Sequence, residues 1–179
     1  MKEENNMKII EMISQEELEQ KIKELADQIN KEYGDKPLRL IGVLKGSVFF
    51  MCELAKYLKM PVTMDFMKVS SYGDGTESSG KLNIELDVSE SLEGEHVLLV
   101  EDIVDTGRTL KKLKEMLLER NLASFAICAL LNKPSRRVSH VDIEYTGFVI
   151  EDKFVIGFGL DYAQRYRNLP YIGVITEID

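Results

Sequence analysis

Apolar residues along this chain follow two rhythms. Between Ser14 and Gly34, residues Leu18, Ile22, Leu25 and Ile29 recur at helical spacing and predict an amphipathic helix. Ser14 and Glu17 form a capping box at its start, and Gly34 with Pro37 ends it. Elsewhere the apolar residues come in short unbroken runs. Arg39–Leu44, His96–Val100 and Ser124–Leu131 read as buried strands, and Ile143–Ile150, Val155–Leu160 and Ile172–Ile178 as further short ones. A second helix after Lys45-Gly46-Ser47 is predicted to turn Val48, Met51, Cys52, Ala55 and Leu58 inward. A third carries Leu110, Leu113, Met116 and Leu117 on one face and stops near Asn121. Pro61 restarts an extended segment, Val62–Val69, and Lys81–Val88 alternates apolar with polar residues as a half-exposed strand does. The first thirteen residues read as a short extended lead. Strands and helices in this alternation imply an α/β fold, a mostly parallel sheet covered by helices on both faces. No internal repeat or linker divides the 179 residues, so a single domain is expected.

Composition narrows the class. Hydrophobic residues make up 44% and charged residues 30%, enough for a sizeable core and against disorder. The net charge of −8 speaks against a sequence-independent nucleic-acid surface, which needs clustered Lys and Arg. Both cysteines, Cys52 and Cys128, lie in apolar stretches without metal-ligand spacing to a histidine. They read as buried thiols of a reducing cytoplasm. No apolar run approaches the roughly 18 residues of a membrane span, and Met-Lys-Glu-Glu-Asn-Asn is no secretory signal. A soluble intracellular protein is expected.

Residues 70–80, from Ser70 through Tyr72 and Gly73 to Gly80, are small, polar and glycine-rich, the composition of a mobile loop or lid. A plain hairpin connection is the alternative.

The segment Val97–Thr109 carries the chemistry. A buried strand should deliver Glu101 and Asp102 to the carboxyl edge of the sheet, where ligands of open α/β sheets bind. Asp105, Thr106, Gly107, Arg108 and Thr109 then lead straight into a helix. The two hydroxyls, the close backbone approach allowed by Gly107 and the positive helix end make a phosphate site. The paired acids suit magnesium or ribose hydroxyls. Helix capping accounts for one Asp or Thr, not for three carboxylates within five residues. A signal-receiver domain also ends a strand in paired acids. There the acids close the first strand, and a later strand ends in an aspartate; here the next strand ends in Leu131-Asn132-Lys133.

With an apolar strand, two acids and a loop ending Thr106-Gly107-Arg108-Thr109, the chain resembles the type I phosphoribosyltransferases. Leu44-Lys45-Gly46-Ser47, Ser71-Tyr72-Gly73, Lys133-Pro134 and the tail from Asp152 through Phe154, Val155 and Asp161 to Arg167 resemble the hypoxanthine-guanine members, over nearly the whole chain. The resemblance implies one domain over 1–179, with a sheet core at about 36–150 and a small hood from about 1–13 and 151–179. It implies transfer of phosphoribose from 5-phosphoribosyl 1-diphosphate to hypoxanthine or guanine, with magnesium, in a cytoplasmic homodimer or homotetramer that binds small molecules and neither nucleic acid nor membrane.

In that likeness Glu101 and Asp102 match the acids at the ribose hydroxyls and first magnesium, and Asp161 matches the acid tied to a second magnesium beside the base. Residues Glu101, Asp102 and Asp105–Thr109 match the phosphoribosyl site; Lys45, Gly46 and Arg167 match the diphosphate site. The Leu44–Lys45 peptide can be cis in relatives. Asp105 matches the general base near N7 of the purine; orienting N7 without full proton transfer fits the sequence equally. Lys133 matches the reader of the 6-oxo group, Phe154 and Val155 the residues at the base, and Ser71 and Tyr72 the lid. Arg136 and Arg137 fit either a diphosphate contact or a solvated basic turn. Ser47 and Arg108 are mild departures. A nucleotide-binding regulator built on the same core would lose base-reading or catalytic residues and need a basic face, whereas this acidic chain keeps Asp105, Lys133 and Asp161.

Overall fold

The computed structural model describes residues 7–71 and 82–177. Strand β1 (Met7–Ile13) precedes helix α1 (Gln15–Tyr33), β2 (Leu38–Val43), α2 (Val48–Ala55), β3 (Val62–Ser71) and β4 (Leu82–Leu86). Then come β5 (His96–Val104), α3 (Arg108–Leu118), β6 (Ser124–Asn132), β7 (Tyr145–Val149), β8 (Val155–Ile156) and β9 (Ile172–Glu177). Six strands form the main sheet in the order β4-β3-β2-β5-β6-β7, and β1-β9-β8 form a small antiparallel one. All pairs of the main sheet are parallel except β3 with β4. The α/β class and mostly parallel sheet expected from the sequence are present.

Alternation along the central strands explains how the sheet is covered. Leu38, Leu40, Leu98, Val100, Ala126, Cys128 and Leu130 pack with Leu18, Ile22, Leu25 and Ile29 of α1 and Phe50, Met51 and Leu54 of α2. Their odd-numbered neighbours Ile41, Val97, Leu99, Ile127 and Ala129 pack with Leu110, Leu113 and Leu117 of α3. A period of two thus feeds two separate cores from one set of strands. The α1 capping box forms as predicted, with Ser14 Oγ accepting from the Glu17 N–H at 3.2 Å and the Ser14 N–H donating to Glu17 at 2.8 Å.

Several expectations need correction. Helix α2 buries Phe50, Met51 and Leu54, and Cys52 is exposed rather than buried. Eight residues that are nearly all apolar give the hydrophobic period no phase to read. Cys128 is buried, and burial pushes its thiol up. Strand β5 runs to Val104, past the predicted end at Val100, because β6 continues to pair with Glu101, Ile103 and Val104. In β4, Ile84 and Leu86 are exposed, since the strand is an edge. Val155–Leu160 is a strand for only two residues before Gly157, Phe158 and Gly159, all at positive φ, turn the chain. The described part of the predicted extended lead, Met7–Ile13, is extended as expected and forms β1, antiparallel to β9. Of the glycine-rich segment 70–80 predicted as a lid, Ser70 and Ser71 end β3, and residues 72–80, Tyr72 included, lie outside the described residues.

Leu40 is fully buried at the centre of the sheet. Leu40→Ala is expected to cost about 3 kcal/mol of unfolding free energy, read from the midpoint of urea denaturation; a change under about 1 kcal/mol would place the core elsewhere.

Candidate active site

The chain leaves β2 toward β3 on one side, and β5 lies on the other, so the strand order reverses between β2 and β5. Loops diverge at such a switch point and leave a crevice beyond the carboxyl ends of the strands. The turn after β2 brings Lys45 and Gly46 to it, and the tail of β5 brings Glu101 and Asp102.

Successive strand residues face opposite sides, so the two acids meet different neighbours at the end of β5. Glu101 lines a cleft of about 230 Å³ with Val43, Val69, Asp105, Thr106, Gly107 and Thr109. That volume suits a phosphate-sized group more than a whole nucleotide. Asp102 lies instead against Gly46, where an added Cβ would stand 1.6 Å from Asp102 Oδ2. On the other side of the Gly46 backbone, a Cβ at Gly159 would stand 2.0 Å from the Gly46 carbonyl oxygen. The turn at residues 44–46, whose Leu44–Lys45 peptide is cis, is thus held between β5 and the tail loop.

That tail loop is tied down at several points. Arg167 donates to the Gly159 carbonyl at 2.6 Å and pairs with Asp161 Oδ1 at 2.7 Å. Asp161 Oδ2 accepts from the Gln164 N–H at 2.8 Å, and Lys45 Nζ donates to Gln164 Oε1 at 2.9 Å. Lys45, Gly46, Asp161 and Arg167 therefore share one neighbourhood with Asp102.

Glu101 has no hydrogen-bond or ion-pair partner among the described residues. Burial, and then the Asp102 charge, push its carboxyl well above the usual range. Burial likewise pushes Asp102 up to about 6, against the lowering effect of the Ile103 N–H and the Arg167 guanidinium. Two partly buried carboxylates beside a cleft, one of them without a protein partner among the described residues, are a donor set that fits a divalent ion. Among the described residues no three acidic, histidine or cysteine side chains close into a cage. Magnesium needs only one or two carboxylates when substrate phosphates complete its shell.

The phosphate loop starts helix α3. Gly107 has φ +77°, and a Cβ there would lie 2.4 Å from the Ser139 carbonyl oxygen. Val138 and Ser139 N–H groups donate to the Thr106 carbonyl at 2.9 and 3.0 Å, so the segment after β6 braces the loop from outside. Arg108 itself is exposed and Thr109 lines the cleft. Arg137 donates to the Asp105 carbonyl at 3.1 Å and to Asn132 Oδ1, which makes it part of the brace. Arg136 reaches Asp105 Oδ1 at 3.3 Å and Asp152 Oδ2 at 3.5 Å.

The expected purine side lies next to this loop. Lys133, at the end of β6, is buried, donates to the Lys153 carbonyl and sits 3.8 Å from Asp152. Phe154 is 56% exposed, which removes the core explanation for that ring; it meets Tyr162 edge to face at 5.8 Å. Val155 is buried in β8. Gln164, Asn132, Gly159 and Asp152 as a charge partner were not found by sequence reasoning. Their roles depend on contacts between distant segments, and only the tail motif hinted at Asp152 and Gly159.

Residues 10–163 match the phosphoribosyl transferase domain family. The chain is 50% identical over 174 residues to a hypoxanthine-guanine phosphoribosyltransferase of Streptococcus pneumoniae, covering 97% of this chain and 96% of that one. It is 49% identical over 177 residues to the enzyme of that name from Lactococcus lactis, covering 98% and 96%. Among solved structures, a hypoxanthine phosphoribosyltransferase of Staphylococcus aureus superposes with TM-score 0.89 at 45% identity, covering 93% of this chain and 91% of that one. A hypoxanthine-guanine phosphoribosyltransferase of Bacillus anthracis superposes with TM-score 0.90 at 41% identity, covering 94% and 100%.

The raised carboxyls have a measurable consequence. An acid whose folded pKa exceeds its unfolded value near 4 holds its proton more tightly when folded. Stability of the metal-free protein therefore falls as pH rises through the window that ends, for Asp102, at about 6, and stays lower above it. Glu101→Gln is expected to raise Tm by about 3 °C at neutral pH, with the gain vanishing near pH 4. Calorimetry showing a loss, or a gain independent of pH, would contradict this electrostatic picture.

Proposed function

The chain belongs to the phosphoribosyltransferase family, and on that footing we propose that it is a purine salvage enzyme. It transfers the 5-phosphoribosyl group from 5-phosphoribosyl 1-diphosphate to hypoxanthine or guanine, giving IMP or GMP and diphosphate. The observation that carries this reading is the meeting of the Asp105–Thr109 loop, Lys133 and the Lys45–Gly46 turn at one sheet edge, in a chain half identical to relatives of that name.

In this reading the 5-phosphate sits on the N–H groups and hydroxyls of residues 105–109 at the start of α3. Diphosphate lies along the Lys45–Gly46 backbone, with Arg167 as its cation. The purine stacks on Phe154 beside Val155, and Lys133 donates to its 6-oxo group. An ammonium has no acceptor for the 6-amino group of adenine, which favours hypoxanthine and guanine. As the bond from the purine nitrogen to the anomeric carbon forms, the bond from that carbon to diphosphate breaks, and Asp105 takes the proton at N7. Ser71 and Tyr72 belong to the segment that closes over the diphosphate and excludes water. Glu101 and Asp102, with Asp161 on the purine side, are the residues to hold magnesium, which neutralises charge on the leaving diphosphate. The small sheet of β1, β8 and β9 serves as the hood beside the purine. The enzyme is a cytoplasmic homodimer or homotetramer; among the described residues no helix is long and apolar enough to cross a membrane.

A spectrophotometric assay with hypoxanthine, guanine, xanthine, adenine and uracil should show magnesium-dependent turnover with the first two bases. Absence of turnover with both sinks the proposal. Asp105→Ala should lower kcat by roughly 100-fold or more while KM for the phosphoribosyl donor changes only a few-fold. Equal loss in both would make Asp105 a structural member of the phosphate loop.

A further inference from the structure

Arg136 and Arg137 are adjacent on the turn after β6, but their guanidinium groups have different partners. Arg136 reaches two carboxylates, Asp105 and Asp152. Arg137 reaches neutral oxygens. Its Nε donates to the Asp105 carbonyl at 3.1 Å, and its Nη2 donates to the Val104 carbonyl at 3.5 Å and to Asn132 Oδ1. From a half-buried position it ties the end of β5 to the end of β6. It also lies directly behind the phosphate loop: a Cβ at Gly107 would stand 2.8 Å from Arg137 Cδ and 3.4 Å from its Nε. The same segment takes up the neighbouring carbonyls. The Lys133 N–H donates to Val104 at 2.9 Å, and the Val138 and Ser139 N–H groups donate to Thr106 at 2.9 and 3.0 Å. The carbonyls of residues 104, 105 and 106 are thus all held by the segment after β6.

The direction of those carbonyls sets the direction of the N–H groups that follow them. A trans peptide is planar and points its N–H opposite to its C=O. The peptides joining Asp105, Thr106 and Gly107 are trans. With the Asp105 carbonyl turned to Arg137 and the Thr106 carbonyl to residues 138 and 139, the N–H groups of Thr106 and Gly107 face away from the brace. Neither N–H has an acceptor among the described residues. Asp105, Thr106 and Gly107 line the cleft together with Thr109. Two adjacent N–H groups of this kind at a helix start make a concave site for an anion. We propose that Arg137 is a positioning residue for the 5-phosphate. It holds the loop so that these N–H groups face the cleft, and it adds a charge from behind that no carboxylate partner cancels among the described residues. The inference rests on the reading of residues 105–109 as the phosphate site. Arginine suits the position because one planar fork serves acceptors on two strands, whereas lysine brings the charge with only a point donor.

The test compares ligands that carry the 5-phosphate with one that does not. Arg137→Met keeps the stem behind Gly107 and removes the donors and the charge. Binding of GMP and of magnesium diphosphate is measured by calorimetry, with KM for both substrates and Tm alongside. Arg137→Met should weaken GMP roughly 10-fold and raise donor KM by a similar factor, the size expected for hydrogen bonds lost from a charged group. Diphosphate affinity and KM for hypoxanthine should stay within about 2-fold. Arg137→Lys keeps the charge and is the variant to read if Arg137→Met does not fold; it should weaken GMP about 3-fold with the same selectivity. Loss confined to diphosphate would make Arg137 a contact of the leaving group. Equal loss for GMP and diphosphate, with a lower Tm, would make it a structural residue. Unchanged GMP affinity would leave it no part in the site. Each of these outcomes overturns the inference. Guanosine titrated into the parent separates the two levels. If the parent binds GMP no more tightly than guanosine, residues 105–109 are not the phosphate site and the underlying reading fails. If GMP binds much more tightly and Arg137→Met spares it, only the role of Arg137 fails.

Discussion

The close stacking of Asp102, Gly46 and Gly159 is the contact on which the arrangement of the site depends. The Asp102 carboxylate fills the space that any side chain at residue 46 would need, and the Gly46 carbonyl does the same for residue 159. Three segments far apart in the chain are thereby pressed into one layer at the end of β5. The turn after β2 cannot lift away without opening a gap beneath the tail loop, and that loop is held by Arg167, Asp161 and Gln164. A switch-point crevice supplies the place. Glycine at two positions supplies the closeness, which brings backbone polar groups rather than side chains toward a ligand.

Much of the fold was legible because the chain repeats one statement in many places. The period of two in Leu38, Leu40, Ile41, Val97–Val100 and Ala126–Leu130 assigns each residue to a core, and the helices of period 3.6 supply matching faces. Legibility ended where the pattern lost contrast. Helix α2 is too short and too uniformly apolar to reveal which side faces in, so Cys52 was misplaced. The end of β5 was hidden because acids interrupt the apolar run, while backbone pairing with β6 carries on regardless of side chain. Propensity describes single residues, and a ladder is decided by the neighbouring strand.

For the site, the sequence supplied the residue types and the structure supplied their relations. Contiguous motifs, such as the loop from Asp105 to Thr109, could be read directly because a strand, an acid pair, a glycine and a helix start occur in order. The bracing by Ser139 and Arg137, the tether of Lys45 to Gln164 and the bridging of Asp105 and Asp152 by Arg136 join segments separated by tens of residues. No local pattern encodes such contacts. The different neighbours of Glu101 and Asp102 were likewise hidden, since adjacency in a strand places two side chains on opposite faces.

That separation gives the three acids of one motif different physical settings. Glu101 and Asp102 lie at the sheet end, where burial penalises their charge; the Ile103 N–H and Arg167 relieve Asp102 in part, and Glu101 has no such partner among the described residues. Asp105 lies beyond the strand, half exposed and beside a guanidinium. A carboxylate that must exchange a proton needs access to the ligand and a partner it can leave. A carboxylate that must hold a cation gains from being fixed and poorly solvated beforehand, because the cost of desolvation is then met at folding rather than at binding. Ending the strand between Asp102 and Asp105 places both settings within one short segment, so that the length of β5, set by its pairing with β6, decides which acid is partly buried and which is half exposed.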